Sequence, residues 1–161
     1  MKQDLYLIIS AGLSADQTSA AFERFCKNET PQAVLYDLTG HTDAAAKQIV
    51  RTIQNKNIAV IIKNDAEKAL SLQADGVQIA YNAGLKKIRK QIGELALGVT
   101  CSTRDEAMRA GENGADYIGF EGEKAADLTQ WWSELFTLPC VDFNPDRPSK
   151  SADFRIRFLF D

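Results

Sequence analysis

Histidine and cysteine, the residues that most often carry chemistry, are scarce in this chain. Its 161 residues include one histidine, His41, and three cysteines, Cys26, Cys101 and Cys140. No two cysteines stand in CxxC spacing, so a structural zinc site lacks ligands and a redox dithiol lacks its motif. A nucleophilic cysteine wants a histidine partner, and each cysteine lies in an apolar stretch. Free, buried thiols in a reducing compartment are therefore the expectation. Long apolar runs are missing too. The opening "MKQDLYLIIS" has Asp4 within its run and is too short for a signal peptide or a membrane span, which points to a cytoplasmic protein. Excess positive charge is also absent. The net charge is -3 with basic residues spread throughout, so neither nucleic acid nor an anionic membrane is an expected partner. The one dense basic cluster, Lys86, Lys87, Arg89 and Lys90, reads as a solvated helix face.

What is present is alternation. Short apolar runs rich in β-branched residues start at "LYLIIS" (5–10) and "AVLYDL" (33–38). They continue at "IAVIIK" (58–63), "GVQIA" (76–80), "LALGVT" (95–100), "DYIGFE" (116–121), "LPCVDF" (138–143) and "DFRIRFLF" (153–160). Between them stand segments of helical period, such as Ala46, Ile49, Val50 and Ile53 behind a Thr42 or Asp43 cap. Thr103-Arg-Asp-Glu106 fits a capping box. Strict βα alternation predicts a parallel sheet with right-handed crossovers. Eight strands suit a compact parallel (β/α)8 TIM barrel in one domain over 1–161, although such barrels typically need about 250 residues. The seventh and eighth helices are the expected economy, since "NPDRPSKSA" holds two prolines and no helical period. An open doubly wound sheet is the alternative.

Three of the runs are announced by Ala-Asp, at 74–75, 115–116 and 152–153. They mark the starts of the fourth, sixth and eighth strands, one per two βα units. Asp75, Asp116 and Asp153 thus fall at the N-terminal face of a barrel, where residues serve stability. They are read as structural acceptors for backbone N–H groups.

Two longer stretches resemble a known family. "IAVIIKNDAEKALSLQADGVQIA" is similar to the third strand, helix and fourth strand of thiamine phosphate synthases, and "LGVTCSTRDEAMRAGENGADYIGFE" to their fifth and sixth strands. The opening "LYLIIS" looks like their L-Y-L-I-T start. The resemblance implies a TIM barrel that couples a pyrimidine diphosphate to a thiazole phosphate with Mg²⁺; a sister branch, the thiazole tautomerases, moves a proton instead. It also implies a phosphorylated small-molecule ligand.

Carried over by position, the family's Asn-Asp pair falls on Lys63 and Asn64, with Asp65 one place late as the remaining metal candidate. Its strand-four His falls on Gln78 and its Gly-Gln on Ala80-Tyr81. Its second metal-binding Asp falls near Ala83. Leu35 or Tyr36, with Asp37, replaces its strand-two Gln and Arg. Thr100 replaces its Ser, and Ser102 the tautomerase His. The diphosphate loop shrinks to "GEK" (122–124), and Asp142-Phe143-Asn144 takes the place of a Gly-Gly phosphate turn. The candidates are therefore Lys63, Asn64 and Thr100 for catalysis, with Asp65 for metal. Tyr36, Asp37, Gln78, Tyr81, Ser102 and Glu121 are the candidates for substrate. The expected outcome is a synthase-like transferase of thiamine biosynthesis with a degenerate site, using Mg²⁺ if active; the alternative is a non-catalytic binding barrel.

Several side chains carry readings of their own. Lys63 and Asp37, from adjacent strands, suggest a salt bridge, ahead of a phosphate contact or Schiff-base chemistry. Glu121 and Asp142 read as a rim pair, with a cation site as the alternative. His41 reads as a solvent-exposed loop residue. Trp131 and Trp132 cannot both face inward. Strands without covering helices should expose apolar surface, so a homodimer is expected.

Overall fold

The computed structural model describes residues 3–146 and 149–160. Strand β1 (Asp4–Ile9) leads through α1 (Ala15–Cys26) to β2 (Ala33–Tyr36), and α2 (Asp43–Gln54) to β3 (Ala59–Lys63). Then come α3 (Ala66–Ser71), β4 (Gly76–Ala80), α4 (Leu85–Ile92), β5 (Ala96–Cys101) and α5 (Arg104–Glu112). The chain finishes with β6 (Tyr117–Phe120), α6 (Ala125–Leu135), β7 (Cys140–Asp142) and β8 (Phe154–Phe158). All neighbours pair in parallel, and β8 closes onto β1 with Ile156 beside Tyr6. The eight-stranded barrel is closed, so the open doubly wound alternative does not apply. Among the described residues, helices follow the first six strands only. The Pro-containing stretch between β7 and β8 includes residues 147 and 148, which lie outside the described residues.

Local signals start the helices. The Ser14 hydroxyl accepts from Gln17 N–H in a full capping box, and Thr42 caps α2. Thr103 caps α5, but the Glu106 carboxylate accepts from Ser102 N–H, one residue earlier than a capping box places that bond.

Strand alternation divides the core in two. Leu7, Val34, Val60, Ile62, Val77, Leu97, Val99 and Ile118 face the helices, whereas Tyr6, Ile8, Leu35, Ile61, Tyr117 and Val141 fill the barrel. The interior packs large against small. A Cβ on Gly98 would sit 2.1 Å from the Tyr117 ring, and one on Gly119 would sit 2.4 Å from that of Phe143, so both positions need glycine. Tyr6 meets Tyr117, Phe143 and Phe154 edge to face.

The Ala-Asp positions share one geometry. Asp75 N–H donates to the Val60 carbonyl, and the Asp75 carboxylate accepts from Val60 N–H at 2.8 Å. Asp116 clamps Leu97 in the same two-point way, and Asp153 clamps Cys140. A fourth copy, which the repeat in the sequence does not show, uses an amide. Gln32 N–H donates to the Leu5 carbonyl, and Gln32 Oε1 accepts from Leu5 N–H at 3.1 Å. Each even-numbered strand thus begins by clasping the odd-numbered strand before it.

Strand β8 has no helix outside it, and the expectation of bare apolar surface there is corrected. Phe154, Ile156 and Phe158 point inward. Arg155 and Arg157 point outward and both pair with Glu29, and Arg157 also lies over the Phe25 ring. On the other side Trp132 N–H donates to the Leu138 carbonyl, and the buried indole tethers the lead-in to β7. Trp131 is half-buried under Arg104, so the two indoles divide as their adjacency requires.

Candidate functional site

The C-terminal ends of the strands open into a cavity of about 320 Å³. This is the face on which (β/α)8 barrels build their sites. Its walls are Ile8, Leu35, Ile79, Phe143 and Phe158, and its polar groups come from Ser10, Lys63, Asn64, Gln78, Thr100 and Glu121. The cavity therefore gathers Lys63, Asn64, Thr100, Gln78 and Glu121 from separate strand ends. Lys63 and Glu121 are exposed at the rim, whereas Gln78 is 95% buried at the base.

Tyr36 and Tyr81 stand elsewhere, because strand parity turns neighbouring residues to opposite faces, and Ser102 stands apart because it lies past the end of β5. Tyr36 is fully buried in the layer between sheet and helices, so Leu35 is the strand-two residue that lines the mouth. Tyr81 likewise packs against the outer core, beside Asn82 and Arg109. Ser102 lies in a separate surface depression with Arg104 and Lys124.

The carboxylates at the strand ends are engaged by backbone. Asp37 accepts from Thr39 N–H at 3.1 Å, and Asp65 caps α3 by accepting from Lys68 N–H at 2.9 Å. Asp142 is buried, taking Asn144 N–H on one oxygen and Ser149 N–H on the other. Burial raises its pKa, and the two amide donors only partly counter that. The expected Lys63–Asp37 salt bridge is not formed, and Lys63 makes no ion pair among the described residues. Glu121 and Asp142 do not stand together as a mouth pair either, since Glu121 lines the cavity whereas Asp142 is buried and does not.

Mg²⁺ needs carboxylate oxygens free to turn toward it. Among the described residues no group of three acidic, His or Cys side chains is placed to hold a metal ion, and Glu121 is the single carboxylate lining the cavity. These residues do not fit a diphosphate-bound Mg²⁺. Nor do the thiols offer a nucleophile: burial pushes Cys101 and Cys140 up to about 12, which keeps them protonated.

His41 is not a free loop residue. Its Nε2 donates to the Leu13 carbonyl, and its Nδ1 is hydrogen-bonded to the Tyr36 hydroxyl. The imidazole ties the β1–α1 loop to the end of β2. Sequence reading missed this because its partners lie 28 and five residues away. It also missed the base of the cavity, where Tyr117 O–H donates to Gln78 Oε1 at 2.6 Å and bonds the Tyr6 hydroxyl at 2.7 Å. The inward parity of Tyr6, Gln78 and Tyr117 was the available signal.

Known proteins carry related sequences. The family described as thiamine monophosphate synthase matches residues 5–123. A thiamine-phosphate synthase of Erythrobacter litoralis is 36% identical over 101 residues, covering 53% of this chain and 47% of that protein. One from Bacillus licheniformis is 40% identical over 81 residues, covering 50% and 36%. The chain thus spans less than half the length of these curated relatives. A thiamine phosphate pyrophosphorylase structure from Pyrococcus furiosus superposes with a TM-score of 0.75 at 19% identity, over 96% of this chain and 85% of that one.

Proposed function

The chain belongs to the thiamine monophosphate synthase family, and from that premise we propose that it serves thiamine biosynthesis as a synthase-like barrel with a degenerate site. In this reading the mouth binds a small phosphorylated ligand and does not expel pyrophosphate with Mg²⁺. One observation carries it: Asp37 and Asp65 each commit one carboxylate oxygen to a backbone N–H of the following turn, Asp142 commits both, to Asn144 and Ser149 N–H, and none of the three lines the cavity. A transferase of this type would need them to bind a cation and to offset the charge of a departing diphosphate.

What remains suits binding. Lys63 Nζ at the rim offers a phosphate contact, Asn64 and Thr100 flank it, and aromatic walls accept a ring. Asn64 holds the left-handed conformation, with φ of 59°, so its backbone turns sharply at the cavity edge. The proposal takes residues 1–161 as one domain in the cytoplasm. Among the described residues no helix is long and apolar enough to cross a membrane. It further takes the protein as a homodimer without nucleic-acid or membrane partners.

The test is Mg²⁺-dependent condensation of the pyrimidine diphosphate and thiazole phosphate by purified protein, beside phosphate titration followed by NMR. No turnover is expected, and phosphate binding should weaken in Lys63→Ala. Sustained turnover, lost in Asn64→Ala, would overturn the degenerate reading.

A further inference from the structure

The cavity floor holds an oriented amide. Gln78 is 95% buried, its neighbours across the barrel are the hydroxyls of Tyr6 and Tyr117, and no side-chain nitrogen or oxygen in the barrel is buried without a partner among the described residues. The two hydroxyls carry two protons between them. One is absorbed when one tyrosine donates to the other, and the second needs a terminal acceptor. Oε1 of Gln78 is the acceptor within reach, 2.6 Å from Tyr117 and 3.5 Å from Tyr6. Were the amide reversed, its NH₂ would face two hydroxyls, and one hydroxyl proton would be stranded in the core at a cost comparable to a lost buried hydrogen bond. Burial keeps both tyrosines well above their usual pKa, so they remain donors throughout the ordinary pH range.

With Oε1 turned to the tyrosines, Nε2 faces the cavity that Gln78 lines and has no partner among the described residues. Among the described residues no acceptor of the cavity wall is bonded to that nitrogen. Thr100 Oγ1 donates to the Ile79 carbonyl, and Asn64 N–H donates to the Gln78 carbonyl. The apolar walls of the cavity include Ile8, Leu35, Phe143 and Phe158. A cavity of about 320 Å³ lies at the small end of ligand sites and holds one ring with a substituent.

From this geometry we infer that Gln78, locked by Tyr117, is the specificity-determining donor of the mouth. It selects a planar ring that presents a neutral hydrogen-bond acceptor, a ring nitrogen or carbonyl oxygen, to the cavity floor. A ring that presents only a donor there meets an NH₂ it cannot bond and leaves that group desolvated. Tyr117 is a positioning residue, and Tyr6 supports Tyr117 without contacting the ligand. The inference rests on the proposed ligand-binding role of the mouth and adds which chemistry the floor reads.

The probes are 4-methylpyrimidine and toluene, alike in shape and differing in acceptor nitrogens. Each is titrated into ¹⁵N-labelled full-length protein, with the Gln78 side-chain NH₂ signals assigned by their loss in Gln78→Leu. The expected result is that the pyrimidine, and not toluene, shifts both NH₂ signals. The ratio of the two affinities should fall about fivefold in Gln78→Leu, the size of one net hydrogen bond. Tyr117→Phe should lower the ratio and collapse the separation of the two NH₂ protons. Tyr6→Phe removes an equally buried hydroxyl but spares the Tyr117–Gln78 bond, so it should leave both readouts near the wild type. Equal effects from the two Tyr→Phe changes would mark the network as merely structural and overturn the inference. Binding of both probes with Gln78 unmoved overturns this inference alone. No binding at the mouth by either probe or by phosphate overturns it together with the ligand-binding reading. Thermal melts of each variant confirm that it is folded.

Discussion

Asp116 shows how one side chain can matter for a reason other than its charge. Its ion pair with Arg89 at 2.8 Å is half exposed, and exposed pairs contribute about 0–1 kcal/mol. The same Oδ2 also accepts from Leu97 N–H at 2.8 Å, and Leu97 is fully buried. Leaving a buried N–H without an acceptor costs about 1–3 kcal/mol, so the backbone bond outweighs the ion pair. Asp116→Ala is therefore expected to lose about 2 kcal/mol, read by urea denaturation as a lower midpoint with unchanged slope. Asp116→Asn keeps one oxygen for Leu97 and should lose less than about 1 kcal/mol. Equal losses in the two variants would show that charge, and not the clamp, is what counts. The Ala-Asp repeat was legible as scaffolding from its position before each strand. Gln32 was not, because its Gln-Ala string shares neither residue order nor charge with the others.

At the level of the element, β8 is the strand built differently. Its "FRIRF" alternates apolar and basic residues, whereas β3 is continuously apolar over "AVII" before Lys63. Alternation is the mark of a strand with one solvated face, and Glu29 at the end of α1 satisfies that face by pairing with Arg155 and Arg157. The Arg155 hydrogen bond, joined by the charge of both arginines, holds the Glu29 carboxyl below the usual carboxylate range. A depressed acid contributes stability above its unfolded pKa, about 4.3, and loses it as pH falls through the lower folded value. Glu29→Gln should therefore destabilise the protein at pH 7 by about 1 kcal/mol. The gap from wild type should close below about pH 4. Hydrogen exchange at the β8 amides should rise in the variant at pH 7 and match wild type at pH 3. A gap that persists at pH 3 would mean that Glu29 acts by packing and not by charge.

For the whole molecule, closure without the last two helices shifts where apolar surface is left. The outer face of β8 is charged, and three of the five exposed large apolar side chains among the described residues lie on α5, on α6 and just past it. Met108 and Phe136, 38% and 37% exposed, line a groove with Trp132 and Leu138, and Leu135 on the same helix as Trp132 is 65% exposed. The proposed homodimer is best supported on that face. Light scattering at micromolar concentration should give twice the monomer mass, and Leu135→Lys should return the monomer. A wild-type monomer under those conditions would count against the dimer. Closure also decides which strand ends meet. Lys63 and Asp37 look like partners on adjacent strands, yet Asp37 turns to its own Thr39 amide and Lys63 turns to the cavity.

The amino-acid sequence by itself determined the parallel βα order, the helix starts and the family, because these depend on local spacing, capping groups and residue strings. Tertiary structure alone decided barrel closure, the direction of each strand-end side chain and the network under the cavity. A residue's parity on its strand sends Tyr36 outward and Leu35 inward, and no string of letters shows that choice until the register is set. Closure then brings Tyr6, Gln78 and Tyr117, 72 and 39 residues apart, to one point. There proton count, and not sequence proximity, dictates which way an amide must face.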